Sequence, residues 1–196
     1  MNNQSAVFFD RDGTINEDIG YIARPDDIDL YPWAAAAVRA VNESGMKALV
    51  VTNQSGVARG FHTETDLSAV HQRLIDELGG AGATIDAIYY CPHHPRFSDS
   101  PYGIDCDCRK PKPGLLHKAA DEHAIDLASS FVIGDKLSDM ELACNAGATA
   151  VLVLTGYGRG TLSRLTAGSF RPSIIAENVG QAVSEILALR RSLQIP

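Results

Sequence analysis

Two aspartates one residue apart, in Asp10-Arg11-Asp12-Gly13-Thr14, stand directly after the apolar run Ala6-Val7-Phe8-Phe9. Carboxylates at that spacing can divide nucleophilic and acid–base work between them, or hold a hard cation. Taken alone, the segment reads equally well as an acidic turn with Asp12-Gly13 at its corner. Three further segments change that balance. Thr52-Asn53-Gln54-Ser55-Gly56 offers a hydroxyl, two side-chain amides and, around Gly56, backbone N–H groups able to face an anion. Gly134-Asp135-Lys136-Leu137-Ser138-Asp139 adds two carboxylates where a helical stretch begins, although Asp135 or Ser138 would also serve there as an ordinary N-cap. Arg109-Lys110-Pro111-Lys112-Pro113-Gly114 sets cations ahead of another helical stretch. Carboxylates gathered at one place repel by about 3 kcal/mol per pair at roughly 5 Å and an effective dielectric of about 20. A divalent cation with oxygen ligands, helped by Lys110, offsets that repulsion, and Mg²⁺ suits a site that handles phosphate.

A second constellation lies between Cys91 and Pro113, a stretch with five prolines and no helical or strand period. Cys91-Pro92-His93, twelve intervening residues and Cys106-Asp107-Cys108 supply four ligands suited to a closed tetrahedral zinc. With all four positions taken by protein, such a zinc is structural, pinning the loop and with it Arg109 and Lys110. His94 rivals His93 as the fourth ligand, and spacing does not separate them. Cys144, on a small-residue helix, reads as a buried apolar residue.

The elements that must position these groups alternate. Ala6–Phe9, Ala48–Thr52, Ile85–Tyr90, Phe131–Gly134 and Ala150–Leu154 read as buried strands, apolar on both faces. Trp33–Ser44, Glu64–Leu78, Gly114–His123, Ser138–Ala146 and Val179–Ser192, the last after a candidate N-cap at Asn178, read as helices. Such alternation predicts an α/β fold, with reactive loops at the carboxyl ends of parallel strands. Gly156–Arg171, rich in Gly, Ser, Thr and Arg, reads as a mobile surface loop.

The chain of 196 residues, 45% apolar and 21% charged, is long enough to bury a core without disulfides. Residues 1–196 are expected to form a single domain with loop 91–108 inserted, and a monomer is the default. The net charge of −7 opposes the tracking of a nucleic-acid backbone. No apolar run suits a membrane span, and the opening Met-Asn-Asn-Gln-Ser lacks a signal-peptide layout, so a cytoplasmic location is expected.

Asp10-x-Asp12-Gly13-Thr14, Thr52, Lys110 and Asp135 with Asp139, in that order, resemble the four motifs of the haloacid-dehalogenase-like phosphohydrolases. The resemblance implies a Rossmann-like doubly wound parallel sheet with helices on both faces, and phosphoryl transfer through an aspartyl phosphate. Asp10 would be the nucleophile and Asp12 the acid and then the base, with Thr52 and Lys110 steadying the phosphoryl oxygens. Mg²⁺ would be held by Asp10, the Asp12 carbonyl and Asp135, with Asp139 acting through metal-bound water.

The Cys-rich loop narrows the likeness to the bacterial heptose 1,7-bisphosphate 7-phosphatases, over roughly residues 6–156. That likeness implies substrate contacts at Asp18, Ile19, Gly20, Tyr21, Asn53, Gln54, Ser55, Arg109 and Lys136. It also implies zinc on Cys91, His93, Cys106 and Cys108, and no separate cap domain. The expected partner is a small phosphorylated sugar, with no nucleic acid and no membrane. Histidinol phosphate is the competing substrate. A polynucleotide end phosphatase fits the motifs but not the acidic balance, and a zinc-stabilised sugar-phosphate binding module is the non-enzymatic alternative, which has no need of Asp10 beside Asp12.

Overall fold

The computed structural model describes residues 4–165 and 171–193. Its apolar runs pair into one wholly parallel sheet: β1 (Ala6–Phe9), β2 (Lys47–Asn53), β3 (Ala87–Cys91), β4 (Phe131–Gly134), β5 (Thr149–Val153) and β6 (Ile174–Ala176). The order is β3-β2-β1-β4-β5-β6. Parallel strands need crossovers, and helices supply them on both faces. Val7 and Phe9 of β1 enter one core with α1 (Ala34–Glu43), α2 (Glu64–Gly80) and α6 (Val179–Leu193). Ala6 and Phe8 enter the other, with α3 (Gly114–His123), α4 (Leu137–Ala146) and α5 (Gly158–Arg164). The two-residue period of a strand thus feeds two cores, which is why β1 and β4 are buried throughout. The doubly wound sheet is as expected.

Helix boundaries follow local chemistry. In α2, Leu67, Val70, His71, Leu74 and Leu78 form one buried stripe, and Thr63 and Asp66 close a reciprocal cap of 3.1 and 2.8 Å at its start. α4 begins at Leu137 because the Asp139 carboxylate reaches back to accept the Lys136 N–H at 3.0 Å, rather than through a cap at Asp135 or Ser138.

Four details depart from expectation. Gly158–Arg164 is helical rather than loop, with residues 166–170 of that segment outside the described residues. β6 is a three-residue strand, too short to show a period. β3, at the sheet edge, is partly exposed instead of apolar on both faces. Cys144 is exposed, because α4 turns Met140 and Ala143 into the core and leaves the next position outside. No helix among the described residues is long and apolar enough to cross a membrane.

Strand order reverses between β1 and β4, which pair in parallel at the middle of the sheet. A crevice opens at the carboxyl ends of strands at such a point. Asp10 follows β1 and Asp135 follows β4, so both carboxylates emerge there.

β1 itself is anchored from the opposite end. Ser130, fully buried, accepts the Ala6 N–H at 2.9 Å and donates to the Asp126 carbonyl at 2.6 Å. Ser130→Ala leaves the Ala6 N–H buried without a partner and should destabilise the fold by about 1–3 kcal/mol in urea titrations while leaving the catalytic end of the sheet unchanged. An unaltered midpoint would show that the N–H finds another partner.

Candidate functional site

Asp10, Asp135 and Asp139 lie together, all buried, with one carboxylate oxygen of each within 4.8 Å of the others. Close approach is made possible by glycines. Gly13 takes φ 86°, open to glycine at little cost, and a Cβ there would overlap the Asp135 carboxylate; a Cβ at Gly134 would overlap Asp139. Lys110, itself 5% exposed, sits among the acids: its Nζ is 2.8 Å from Asp10 Oδ1 and donates to the Val51 carbonyl at 3.0 Å. It also lies 2.6 Å from Asp139 Oδ1, off the line of a good hydrogen bond, so that contact is an ion pair. The Arg11 N–H donates to Asp10 Oδ1 at 2.8 Å.

These surroundings push the carboxyls in different directions. Burial alone would raise Asp10, but the charges of Lys110 and Lys136 and the Arg11 N–H outweigh it and hold Asp10 below the ordinary carboxylate value. Burial and the Asp10 charge push Asp135 up to about 7, despite Lys136. Burial likewise raises Asp139. Burial would lower Lys110, yet Asp10 and Asp139 keep it raised and charged.

The donor set fits a hard divalent cation. Lys136 Nζ lies 3.1 Å from the Asp12 carbonyl, 3.3 Å from Asp135 Oδ1, 3.1 Å from Asp18 Oδ2 and 3.8 Å from Asp10 Oδ2. A positive group is therefore already drawn to the point where three carboxylates and a carbonyl converge, which are oxygen donors of the kind Mg²⁺ prefers. Asp139 faces Lys110 instead.

Asp12 is oriented by a buried network that was not foreseen. Arg11, fully buried, donates through Nε to Asp12 Oδ1 at 3.0 Å and pairs with Oδ2 at 2.9 Å. Asn16 Nδ2 and Gln54 Nε2 donate to Asp12 at 3.1 and 2.9 Å. Arg11 also contacts Gln54 Oε1 and, at 3.2 Å, His71 Nε2. A guanidinium can only donate, so Nε2 accepts and the His71 proton rests on Nδ1. Burial, then the Arg11 charge, pushes His71 down to about 3 and keeps it neutral. The one sequence signal for this network is a histidine on the apolar stripe of α2; the burial of Arg11 comes only from the fold.

The expected catalytic and substrate residues fall into two groups. Asp10, Asp12, Thr52, Asn53, Ser55, Arg109, Lys110 and Lys136 line one cavity, and Asp18, Gly20, Tyr21 and Gln54 join an adjoining one. Gln54 is buried, and its amide bridges Asp12 and Thr52 Oγ1, the latter at 2.9 Å. Asn53 exchanges hydrogen bonds of 3.1 and 3.2 Å with the Lys110 backbone, fixing where that lysine starts. Ile19 lines neither cavity and is exposed at the rim. Tyr157, singled out in the sequence only as the start of a segment able to bias substrate choice, lines the second cavity with Lys136 5.2 Å from its ring centre.

The Cys-rich loop brings Cys91 Sγ, His93 Nδ1, Cys106 Sγ and Cys108 Sγ together within 4.8 Å of one another, with four of the six separations at 3.0–3.8 Å. Tetrahedral zinc needs edges of about 3.5–3.8 Å. Burial and the adjoining sulfurs push the Cys91 and Cys108 thiols up, a cost that a soft cation removes. His94 turns away and accepts the Arg96 N–H at 3.3 Å. Arg109 Nη1 donates to the His93 carbonyl at 3.0 Å, which couples the cluster to the cavity.

Comparison with known proteins agrees with this geometry. A HAD-hydrolase-like family profile matches residues 107–182. The D-glycero-D-manno-heptose-1,7-bisphosphate 7-phosphatase of Thermosynechococcus vestitus is 40% identical over 92% of this chain and 94% of its own. The chain belongs to the haloacid-dehalogenase-like heptose-1,7-bisphosphate 7-phosphatase family. The D-glycero-beta-D-manno-heptose-1,7-bisphosphate 7-phosphatase of Escherichia coli K12 is 45% identical over 77% of this chain and 80% of its own. Among solved structures, the D,D-heptose 1,7-bisphosphate phosphatase of B. bronchiseptica, crystallised with magnesium and phosphate, superposes with a TM-score of 0.84 at 32% identity, covering 95% of this chain and 99% of that one.

The neutral His71 carries a pH signature. Its proton affinity is lower folded (about 3) than unfolded (6.5), so its contribution to stability is present above pH 6.5 and lost as pH falls below it. His71→Gln, which keeps an acceptor for Arg11, should flatten the acid slope of urea midpoints by up to about 1.4 kcal/mol per pH unit. Parallel slopes for variant and wild type would contradict a neutral buried His71.

Proposed function

We propose that this chain removes the 7-phosphate of D-glycero-D-manno-heptose 1,7-bisphosphate by way of a phosphoryl group carried on Asp10. The observation that carries this reading is the Asp10 carboxylate, paired with Lys110 and bonded by the Arg11 N–H at the strand switch, in a chain 40–45% identical to named heptose-bisphosphate phosphatases.

An Asp10 carboxylate oxygen attacks phosphorus, and the bond from phosphorus to the sugar oxygen breaks as Asp12 gives its proton to that oxygen. Asp12 then takes a proton from water as the water oxygen bonds to phosphorus. The acyl-phosphate bond breaks, returning the Asp10 carboxylate and releasing inorganic phosphate. Arg11, Asn16 and Gln54 all donate to Asp12 and so favour its carboxylate, which helps the proton leave for the sugar oxygen; the attacking water then returns it. Thr52 Oγ and the Lys110 ammonium face the same cavity and stabilise the phosphoryl oxygens. Asp10, the Asp12 carbonyl and Asp135 would hold Mg²⁺, which when bound neutralises the carboxylates and polarises the phosphoryl group. Cys91, His93, Cys106 and Cys108 would hold a structural zinc, and these free thiols suit a reducing cytoplasm.

Two measurements test this. Phosphate release with Mg²⁺ should favour heptose 1,7-bisphosphate over histidinol phosphate and a phosphorylated oligonucleotide and should stop in EDTA. Asp10→Asn should lower kcat by on the order of 10⁴-fold or more while the chain still folds, as read by circular dichroism. A preference for histidinol phosphate would move the substrate, and metal-independent or absent release on all three would favour a binding module. Separately, Cys106→Ser should lose zinc by elemental analysis and lower kcat through displaced Arg109 and Lys110, whereas undiminished zinc would reject the ligand set.

A further inference from the structure

Asp12 lines both cavities of the site, whereas Asp10 lines only the first. With phosphorus at Asp10 and the departing oxygen at Asp12, the adjoining cavity is placed to take the body of the leaving group. It holds about 330 Å³, at the low end of what small-ligand sites offer. Its walls are polar or glycine apart from two tyrosine rings, Tyr21 and Tyr157, which are 46% and 62% exposed.

Single exposed rings are ordinary on a protein surface. These two differ in how they are held. The Tyr157 N–H donates to Asp135 Oδ2 at 2.7 Å, and on either side of it Thr155 Oγ1 donates to the Gly13 carbonyl at 2.6 Å and Thr161 Oγ1 to the Asp135 carbonyl at 2.7 Å. The segment after β5 is therefore tied to the ends of β1 and β4, where the reacting carboxylates stand. Tyr21 follows a turn in which Asp18 Oδ1 accepts the Gly20 N–H at 3.0 Å while Oδ2 pairs with Lys136, and its ring packs on Phe61 at 4.8 Å. A ring on a backbone already fixed loses little freedom when a ligand meets it.

A sugar is polar at its edges, where hydroxyls project, and apolar where its C–H bonds form a face. Aromatic rings cover the C–H face, and side chains such as Asp18 and Ser55 serve the hydroxyls. Lys136 lies 5.2 Å from the Tyr157 ring centre, a contact that taken alone would make the ring a prop for the lysine. The exposure of Tyr157 leaves most of the ring open beyond that contact.

We propose that Tyr157 is a specificity-determining residue whose ring takes the C–H face of the departing sugar; this rests on the function proposed above. Tyr157 then contributes to binding the sugar and nothing to binding the phosphoryl group, which sits on Asp10 and Lys110.

Steady-state kinetics of the Mg²⁺- and Zn²⁺-loaded full chain separate this from support of Lys136. The contact to Asp135 is made by the backbone N–H and survives substitution of the side chain. Tyr157→Ala should raise KM for heptose 1,7-bisphosphate roughly five- to twentyfold with kcat within about threefold, and leave the inhibition constant of orthophosphate, which has no ring, within about twofold. Tyr157→Phe, which keeps the ring, should stay within about twofold of wild type in all three. An orthophosphate constant that rises in step with KM would show that the ring acts through Lys136, and an unchanged KM would show that the sugar lies elsewhere. Either result overturns the proposal while the function stands. If the wild type does not hydrolyse heptose 1,7-bisphosphate, the function itself fails and the role of Tyr157 with it.

Discussion

Three carboxylates buried against one another at the end of two adjacent strands would push the sheet apart were it not for two lysines. Lys110 sits between Asp10 and Asp139, and Lys136 between Asp10, Asp135 and Asp18. Much of the surrounding structure serves that balance. Glycines at 13 and 134 let the acids approach, Asn53 grips the Lys110 backbone, and the Asp139 carboxylate that faces Lys110 also starts α4. Lys110 comes to the site from the Cys-rich loop rather than from the sheet, so the order of that loop and the charge of the site are linked.

The balance is uneven, and the unevenness assigns roles. Asp10 collects both lysine charges and an N–H and is held below the ordinary carboxylate value, which suits the nucleophile proposed here, whereas Asp135, raised to about 7, is short of positive charge. That shortfall is what a divalent cation would meet. Asp12, two residues from Asp10, belongs to a separate network of Arg11, Asn16, Gln54 and neutral His71. Two neighbouring aspartates thus work in distinct surroundings, one charged by lysines and one aimed by a buried arginine.

Much of this was legible beforehand. Short apolar runs followed by Asp, Thr-Asn or Gly-Asp mark buried parallel strands and their reactive ends, and the boundaries of β1, α3 and β4 were read to the residue. The four-residue Cys/His cluster was legible by softness and spacing, and His93 was chosen over His94 only through the family likeness; the structure groups His93 with the three cysteines and turns His94 away. Contacts made across the fold were not legible. Nothing local to Arg11 tells that it is fully buried, nothing in Gln54 that it bridges Asp12 and Thr52, and nothing in the Gly-rich segment after Gly156 that residues 158–164 coil. Cys144 was misplaced for the same reason: a one-position rotation on a helix of small residues changes which side faces water.

The central claim is that Asp10 carries the phosphoryl group. Mixing enzyme, Mg²⁺ and heptose 1,7-bisphosphate, quenching in acid within a turnover and mapping the modified peptide by mass spectrometry tests it directly. A hydroxylamine-sensitive phosphoryl adduct on Asp10, formed and lost at rates that account for turnover, is the predicted result. An adduct on another residue would contradict the account. So would inversion of configuration at phosphorus with no adduct, the outcome of a single direct attack by water.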